Sequence, residues 1–301
     1  MEDLRLFGTS LVELAGTGEP LLHPDAVSMI RTIKQAGLRA LLITNGALLT
    51  RELCHELVGS GLDSINVSLN AATDATHARL HGAPPGDRTR ILEMAQHLRR
   101  ARDNANRSGP FISVSIVVEK ENYQEIPFLT EQAVQLGADL LYFAPLGVNP
   151  ASLHLLMTRE QDEQARTLVR AADAFARAAG TQTNAADFLD RPLQTYWTRE
   201  LLSRTPCHIG QIYSRVHGTG EVYPCAASLR RCLGDLNTTR FRDIWHSEEY
   251  RRFRREAMAL PRSQSKVRGC QCWSCGQHFL IKQYNEWAQS GQLGQMSRIA
   301  A

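Results

Sequence analysis

Short apolar runs rich in branched residues recur through the first half of this chain, each separated from the next by a stretch with helical spacing. The runs are LVELAG (11–16), LRALLIT (38–44), DSINVSL (63–69), ISVSIVV (112–118) and DLLYFAPL (139–146). Their length and content fit buried strands. Between them Pro24-Asp25 opens an amphipathic stretch closing near Gly37, and Thr50 can cap another ending at Gly59-Ser60-Gly61. Residues 87–107 and 123–137 supply two more. Strand, helix, strand in repetition pairs in parallel, because only a crossover returns the chain in the same direction. Near-continuous apolar strands agree, since a parallel sheet is covered on both faces. The fold class is therefore α/β. The pattern alone admits both an open doubly wound sheet and a barrel, and in either a ligand sits at the carboxyl ends of the strands. No internal repeat beyond this alternation is visible.

Composition removes several alternatives. The 301 residues are 43% hydrophobic and 22% charged, an ordinary globular balance. With 34 basic and 31 acidic residues, the net charge of +3 makes no electrostatic case for nucleic acid or an anionic membrane. No apolar run approaches the roughly 18 residues of a membrane span. The opening MEDLRLFGTS lacks a basic-then-apolar leader pattern, so a cytoplasmic location is expected. Seven cysteines without an export signal point to reduced thiols, hence metal ligands or reactive groups.

The second half reads differently. From about 158 to 203 the chain looks helical, and thereafter six of the seven cysteines fall between 207 and 275. IYSRVHGTGEVYPC (212–225) reads as a hairpin about Gly218-Thr219-Gly220, and TRFRDIWHSEEYRRFRREA (239–257) as one helix. Cys207 and Cys225 flank the hairpin, while Cys270, Cys272 and Cys275 lie in GCQCWSCG. Two sulfurs from each segment make a four-thiolate site suited to zinc or to an iron–sulfur cluster, and thiolate geometry alone does not choose. Cys232 is a spare thiol or an alternative ligand, and Cys54, on an amphipathic stretch, reads as a small buried hydrophobe.

At the strand ends, Gly16-Thr17-Gly18-Glu19-Pro20 is either a close-approach loop whose Glu19 accepts from an ammonium group or a plain turn. It matches neither a phosphate loop nor a dinucleotide fingerprint. Thr44-Asn45-Gly46, Ser68 and Asn70 are weak singly, but together they place small polar groups at one end of the sheet.

AGTGEPLLHPD, ITNGALLT, INVSLNAATDATHARLHG and VVEKENYQEI resemble successive strand-end segments of the radical S-adenosylmethionine (radical SAM) enzymes. PCHIGQIYSRVHGTGEVYPC, LGDLNTTRFRDIWHSEEYRRFR and the closing CxCxxC resemble the SPASM/twitch-type domain that accompanies many of them. The resemblance covers nearly the whole chain. It implies a partial (β/α)6 barrel over 1–150, a helical connector over 151–203 and an auxiliary-cluster domain over 204–301. It implies that Gly18 and Glu19 hold the ammonium group of S-adenosylmethionine, and that Thr44, Ser68, Asn70 and Ser115 contact its other parts. Cys207, Cys225, Cys272 and Cys275 would ligate an auxiliary 4Fe–4S cluster, with Cys270 competing for one place.

The family's catalytic cluster is held by a CxxxCxxC motif ahead of the glycine loop. The 15 residues before Gly16 contain no cysteine, so the expectation is a sequence opening on the family's second strand, which as written does not run the radical chemistry. A sheet that starts there has an exposed edge. The functional expectation is a radical SAM enzyme, possibly shortened, that modifies a peptide or small molecule with a low-potential electron donor. The alternatives are a non-catalytic iron–sulfur or zinc-binding relative, and an unrelated α/β enzyme with a structural zinc knuckle. The basic stretch 251–269 reads as a solvated helix face rather than a peptide or nucleic-acid patch. Oligomeric state is not readable.

Overall fold

The computed structural model describes residues 1–16, 18–147, 151–190, 205–228, 230–261 and 267–270. The chain divides into two compact units, Met1–Leu146 with Leu153–Gln194, and Gly147–Ser152 with Thr195–Ala301. In the first, α1 (Glu2–Leu6) leads into β1 (Leu11–Leu14), α2 (Ala26–Gln35), β2 (Arg39–Thr44), α3 (Arg51–Gly59) and β3 (Ser64–Ser68). There follow α4 (Asp74–His81), α5 (Asp87–Asn104), β4 (Phe111–Val118), α6 (Ile126–Leu136), β5 (Leu140–Pro145), α7 (Arg159–Ala178), β6 (Gln182–Thr183) and α8 (Ala185–Asp190). All six strands are parallel, and their spatial order equals their chain order. A doubly wound sheet reverses direction at a switch point. This one never does, so it winds as a barrel does, and the expected partial barrel is observed. β1 pairs with β2 alone among the described residues and forms an edge.

All five apolar runs are strands. The sixth strand was not anticipated: Gln182–Thr183 lies in a stretch read as purely helical, and a strand of two residues carries no periodicity to read. Thr50 caps α3 as expected, its hydroxyl accepting from the Leu53 N–H at 3.1 Å.

A repeat does exist beneath the alternation. Gly37, Gly61, Gly137 and Gly180 end α2, α3, α6 and α7 with φ between 73 and 85°, the left-handed region that glycine enters without penalty. Two residues on, each chain makes its first bond to the neighbouring strand. The N–H groups of Arg39, Asp63, Asp139 and Gln182 donate to Ser10, Ala40, Ile112 and Asp139. Two of these positions carry a further clamp. Asp63 Oδ2 accepts from the Ala40 N–H (2.7 Å) and from Lys34 Nζ (2.6 Å). Asp139 Oδ2 likewise accepts from the Ile112 N–H (2.7 Å) and Arg102 Nη1 (2.6 Å). The register at the amino-terminal end of the sheet is thereby fixed by charge-assisted hydrogen bonds.

The two sheet faces differ in chemistry. Ala40, Leu42, Ile65, Val67, Ile112, Val114, Ile116, Leu141 and Phe143 are buried with Ile30, Leu57, Leu98 and Leu129 of the helices and form the core. The alternate positions make the other face. Asn66 opposes Ser113, and Ser68 opposes Ser115, which in turn opposes Tyr142.

The second unit holds α9 (Ile209–Ile212), the antiparallel sheet β7 (Arg215–Val216), β8 (Glu221–Tyr223) and β9 (Gly234–Asp235), then α10 (Phe241–Trp245) and α11 (Glu248–Met258). The expected hairpin is β7–β8. The single helix expected over 239–257 is two, because Ser247 leaves helical geometry and its side chain caps Tyr250 N–H at 3.2 Å. No helix among the described residues is long and apolar enough to cross a membrane.

Candidate functional site

The first candidate site is the carboxyl end of the six-stranded sheet. Glu19 is fixed by three donors: Thr44 Oγ1 (2.7 Å) and the Leu21 N–H (3.1 Å) to Oε1, and the Asn45 N–H (2.8 Å) to Oε2. Thr44 is buried, and its hydroxyl oxygen also accepts from the Gly46 N–H at 3.0 Å. The Thr44 hydroxyl is thus committed to holding the glycine loop against the β2 end. Gly18 lies beside it, and a Cβ built there meets no atom within 4 Å.

Ser68 and Ser115 are register partners, and Ser115 is buried. Asn70 turns its side chain to the carboxyl end of β4, Oδ1 accepting from the Val117 N–H at 2.8 Å. Asn122 completes that junction by donating to Asn70 O (2.9 Å) and Val117 O (2.8 Å) while accepting from the Glu119 N–H (2.9 Å). The structure thus groups Glu19 with Thr44, Ser68 with Ser115, and Asn70 with the end of β4. Thr17 lies outside the described residues.

Several polar residues of this region escaped sequence reading. Glu13, Asn66 and Tyr142 occupy the face of Ser68 and Ser115. The Asn66 Oδ1 is buried without a partner. Burial pushes the Glu13 carboxyl up, and burial, followed by the nearby Asp187 carboxylate, pushes the Tyr142 hydroxyl up. The signal was present as polar residues at alternate positions within apolar strands.

Glu119, directly after β4, is 3% exposed. Its Oε2 accepts from the Glu121 N–H at 2.8 Å, while Oε1 is buried without a partner. Burial raises its pKa, and the neighbouring carboxylates of Glu121 and Glu125 add to the rise. A carboxyl raised in the folded state favours the protonated fold. Its contribution is favourable below the unfolded-state value and lost as pH rises through the folded one. Glu119→Gln is therefore expected to raise Tm at pH 7 and to leave it unchanged near pH 4. Equal shifts at both pH values would refute an ionised, buried Glu119.

The second candidate site lies in the second unit. Cys207 and Cys225 are buried in one apolar cluster with Val222, Tyr250 and Phe253, and Cys270 packs against that cluster. Cys207 is placed by its N–H donating to Ala257 O at 3.1 Å. Three residues later in α9, Gly210 abuts Phe253, where a Cβ would come within 2.6 Å of the ring. Cys225 opens a turn closed by Ser228, whose hydroxyl donates to Cys225 O (2.8 Å), and Cys225 Sγ accepts from the Ala227 N–H at 3.4 Å. Arg254 stacks over Trp245 and Tyr250 at 4.3 and 4.4 Å and donates to Gly210 O, tying α9 to α11. Burial pushes the Tyr250 hydroxyl up to about 12. Cys272 and Cys275 lie outside the described residues. Cys54 is fully buried on α3, and burial raises its thiol to about 12, as a small hydrophobe should show.

Residues 8–133 match the model of the radical SAM superfamily, and residues 207–276 match SPASM, described as an iron–sulfur cluster-binding domain. The chain belongs to the radical SAM superfamily and carries a SPASM domain. It is 28% identical over 263 residues to the AdoMet-dependent heme synthase of Methanosarcina barkeri, covering 83% of this chain and 72% of the relative. It is also 28% identical over 254 residues to the PqqA peptide cyclase of Gluconobacter oxydans, covering 82% and 64%. In three dimensions it resembles Streptococcus suis SuiB bound to S-adenosylmethionine, with a TM-score of 0.62, 15% identity, and coverage of 83% of this chain and 60% of SuiB. The chain thus spans less than two thirds of the cyclase and of SuiB.

The two domains imply 4Fe–4S clusters and S-adenosylmethionine as cofactors. Cys207 and Cys225 share one apolar cluster, Cys270 packs against it and an amide donates to Cys225 Sγ. Sulfur ligands suit an iron–sulfur site by their chemistry, although among the described residues no three ligating side chains are gathered at one point. The first unit does not offer the equivalent. Its one cysteine is the buried Cys54, which does not fit a cluster held by three thiolates.

Proposed function

We propose that this chain takes part in S-adenosylmethionine-dependent radical modification of a peptide or small molecule, with an auxiliary 4Fe–4S cluster in the SPASM domain. When bound, that cluster supplies one-electron chemistry at low potential, and the reading carries with it a low-potential electron donor. Cys207, Cys225, Cys272 and Cys275 would hold the cluster, with Cys270 as the competing ligand. Gly18 and Glu19 take the ammonium end of S-adenosylmethionine, and Ser68 and Ser115 meet its polar portions, while Thr44 and Asn70 keep the strand ends in position. One relative is named for heme synthesis and another for cyclising a peptide, so both substrate classes stay within the proposal.

The observation that carries this reading is that the carboxyl end of one sheet holds both the Ser68–Ser115 pair and a carboxylate fixed by three donors. Calorimetric titration of the purified chain with S-adenosylmethionine tests it. Saturable binding is expected, weakened about tenfold by Ser68→Ala, which removes a hydrogen-bonding group and adds no bulk. Binding unchanged in that variant would remove the strand-end pair from the site.

A further inference from the structure

Two arginines of the basic stretch 251–269, Arg252 and Arg268, border a cavity. In the second unit this cavity, of about 350 Å³, is lined by four arginines, Arg230, Arg231, Arg252 and Arg268, and by two carboxylates, Glu249 and Glu256. Both carboxylates are already engaged. Arg231 forms a fork with Glu256, Nη1 at 2.5 Å and Nη2 at 3.2 Å, and its guanidinium lies 5.2 Å from the centre of the Phe253 ring. Arg252 pairs with Glu249. Arg230 and Arg268 are exposed, and among the described residues neither side chain has a carboxylate partner. Four guanidiniums against two carboxylates leave two positive charges around one concavity.

The walls are held in place. Arg231 Nη1 also donates to Arg268 O at 3.3 Å, joining the two segments that carry the unpaired arginines. Gly269, at φ 78°, lets them approach, since a Cβ there would stand 3.0 Å from Arg231 Cβ and 3.2 Å from Arg230 O. Planar guanidiniums recognise tetrahedral and planar oxyanions through paired N–H donors. The volume is at the lower end of small-molecule pockets, of order 300–1,000 Å³.

We propose that this cavity is an oxyanion-binding site, taking a phosphate or carboxylate group of a small molecule between Arg230 and Arg268. The inference does not depend on S-adenosylmethionine binding in the first unit. It is tested by calorimetric titration of the full chain, purified with its metal, with inorganic phosphate and separately with succinate. Ionic strength is held constant with chloride. Saturable binding of at least one dianion is expected, weakened about tenfold by Arg230→Gln or Arg268→Gln, since each removes a charged hydrogen-bonding group. Tighter phosphate than succinate assigns the group as a phosphate, and the reverse order assigns a carboxylate. Neither arginine side chain holds the fold together, so Tm is expected to be unchanged, and two independent variants guard against one that misfolds. Dianions that behave like chloride, or two glutamine variants that bind as the parent does, overturn the proposal.

Discussion

Cys225→Ala is expected to strip the iron from this protein and to unfold its second unit. Cys225 is placed by the Ser228 turn, is buried among Val222, Tyr250 and Phe253, and already receives the Ala227 N–H at its sulfur. If Cys225 is one of four thiolate ligands, as proposed, its removal opens the cluster to solvent and leaves the rest without a closed coordination shell. Among the described residues the second unit has short elements: strands of two or three residues and helices of four, five and eleven. So small a core gains much of its stability from bound metal, whose binding energy is also folding energy. Anaerobic iron and acid-labile sulfide analysis is expected to give about four of each in the parent chain for an auxiliary 4Fe–4S cluster alone. In Cys225→Ala both fall to near zero, and the second unit loses its cooperative melting transition. Cys54→Ala is the control: it leaves a cavity in the first unit and costs about 1 kcal/mol of stability, with iron untouched. Zinc without sulfide in the parent would exclude the redox role.

The parallel α/β alternation was legible because apolar runs and caps are local signals. Thr50, the run 112–118 and the glycines that end helices all behave as their chemistry dictates. β6 was not legible, since its two residues are recruited by pairing to β5 rather than by their own pattern. The break at Ser247 escaped for a related reason: serine reads as an ordinary surface residue until its cap is seen. The four-fold glycine-to-strand device escaped because a glycine after a helix carries no sign of what the chain bonds to next. Only the common bond made two residues later reveals the four as one repeat. At the site, Glu19 stood out through its motif, whereas Glu13, Asn66 and Tyr142 looked like interruptions of apolar strands. Their meaning depends on register, which fixes Asn66 against Ser113 and Tyr142 against Ser115.

Two glycines at the strand ends are expected to separate folding from ligand binding. Gly46 follows Thr44 and Asn45, the pair that holds Glu19, and has φ 76°. A Cβ there would stand 2.8 Å from Ile91 Cγ2 and 3.4 Å from Val67 Cγ1, both in the buried core. Gly46→Val therefore combines a left-handed backbone, costing about 1–2 kcal/mol, with overpacking of about 1–3 kcal/mol. A loss of roughly 2–5 kcal/mol is expected by denaturant unfolding, along with displacement of Glu19. Gly18 is the counterpart. Its backbone is outside the left-handed region and its Cβ position is open, so Gly18→Val is expected to melt within about 1 °C of the parent. If the loop takes the ammonium end of S-adenosylmethionine, the added side chain occupies the space the ligand needs, and affinity falls about tenfold or more. A Gly18→Val chain that folds and binds S-adenosylmethionine as tightly as the parent would place the ligand away from this loop. The empty space at Gly18 would then be an ordinary surface.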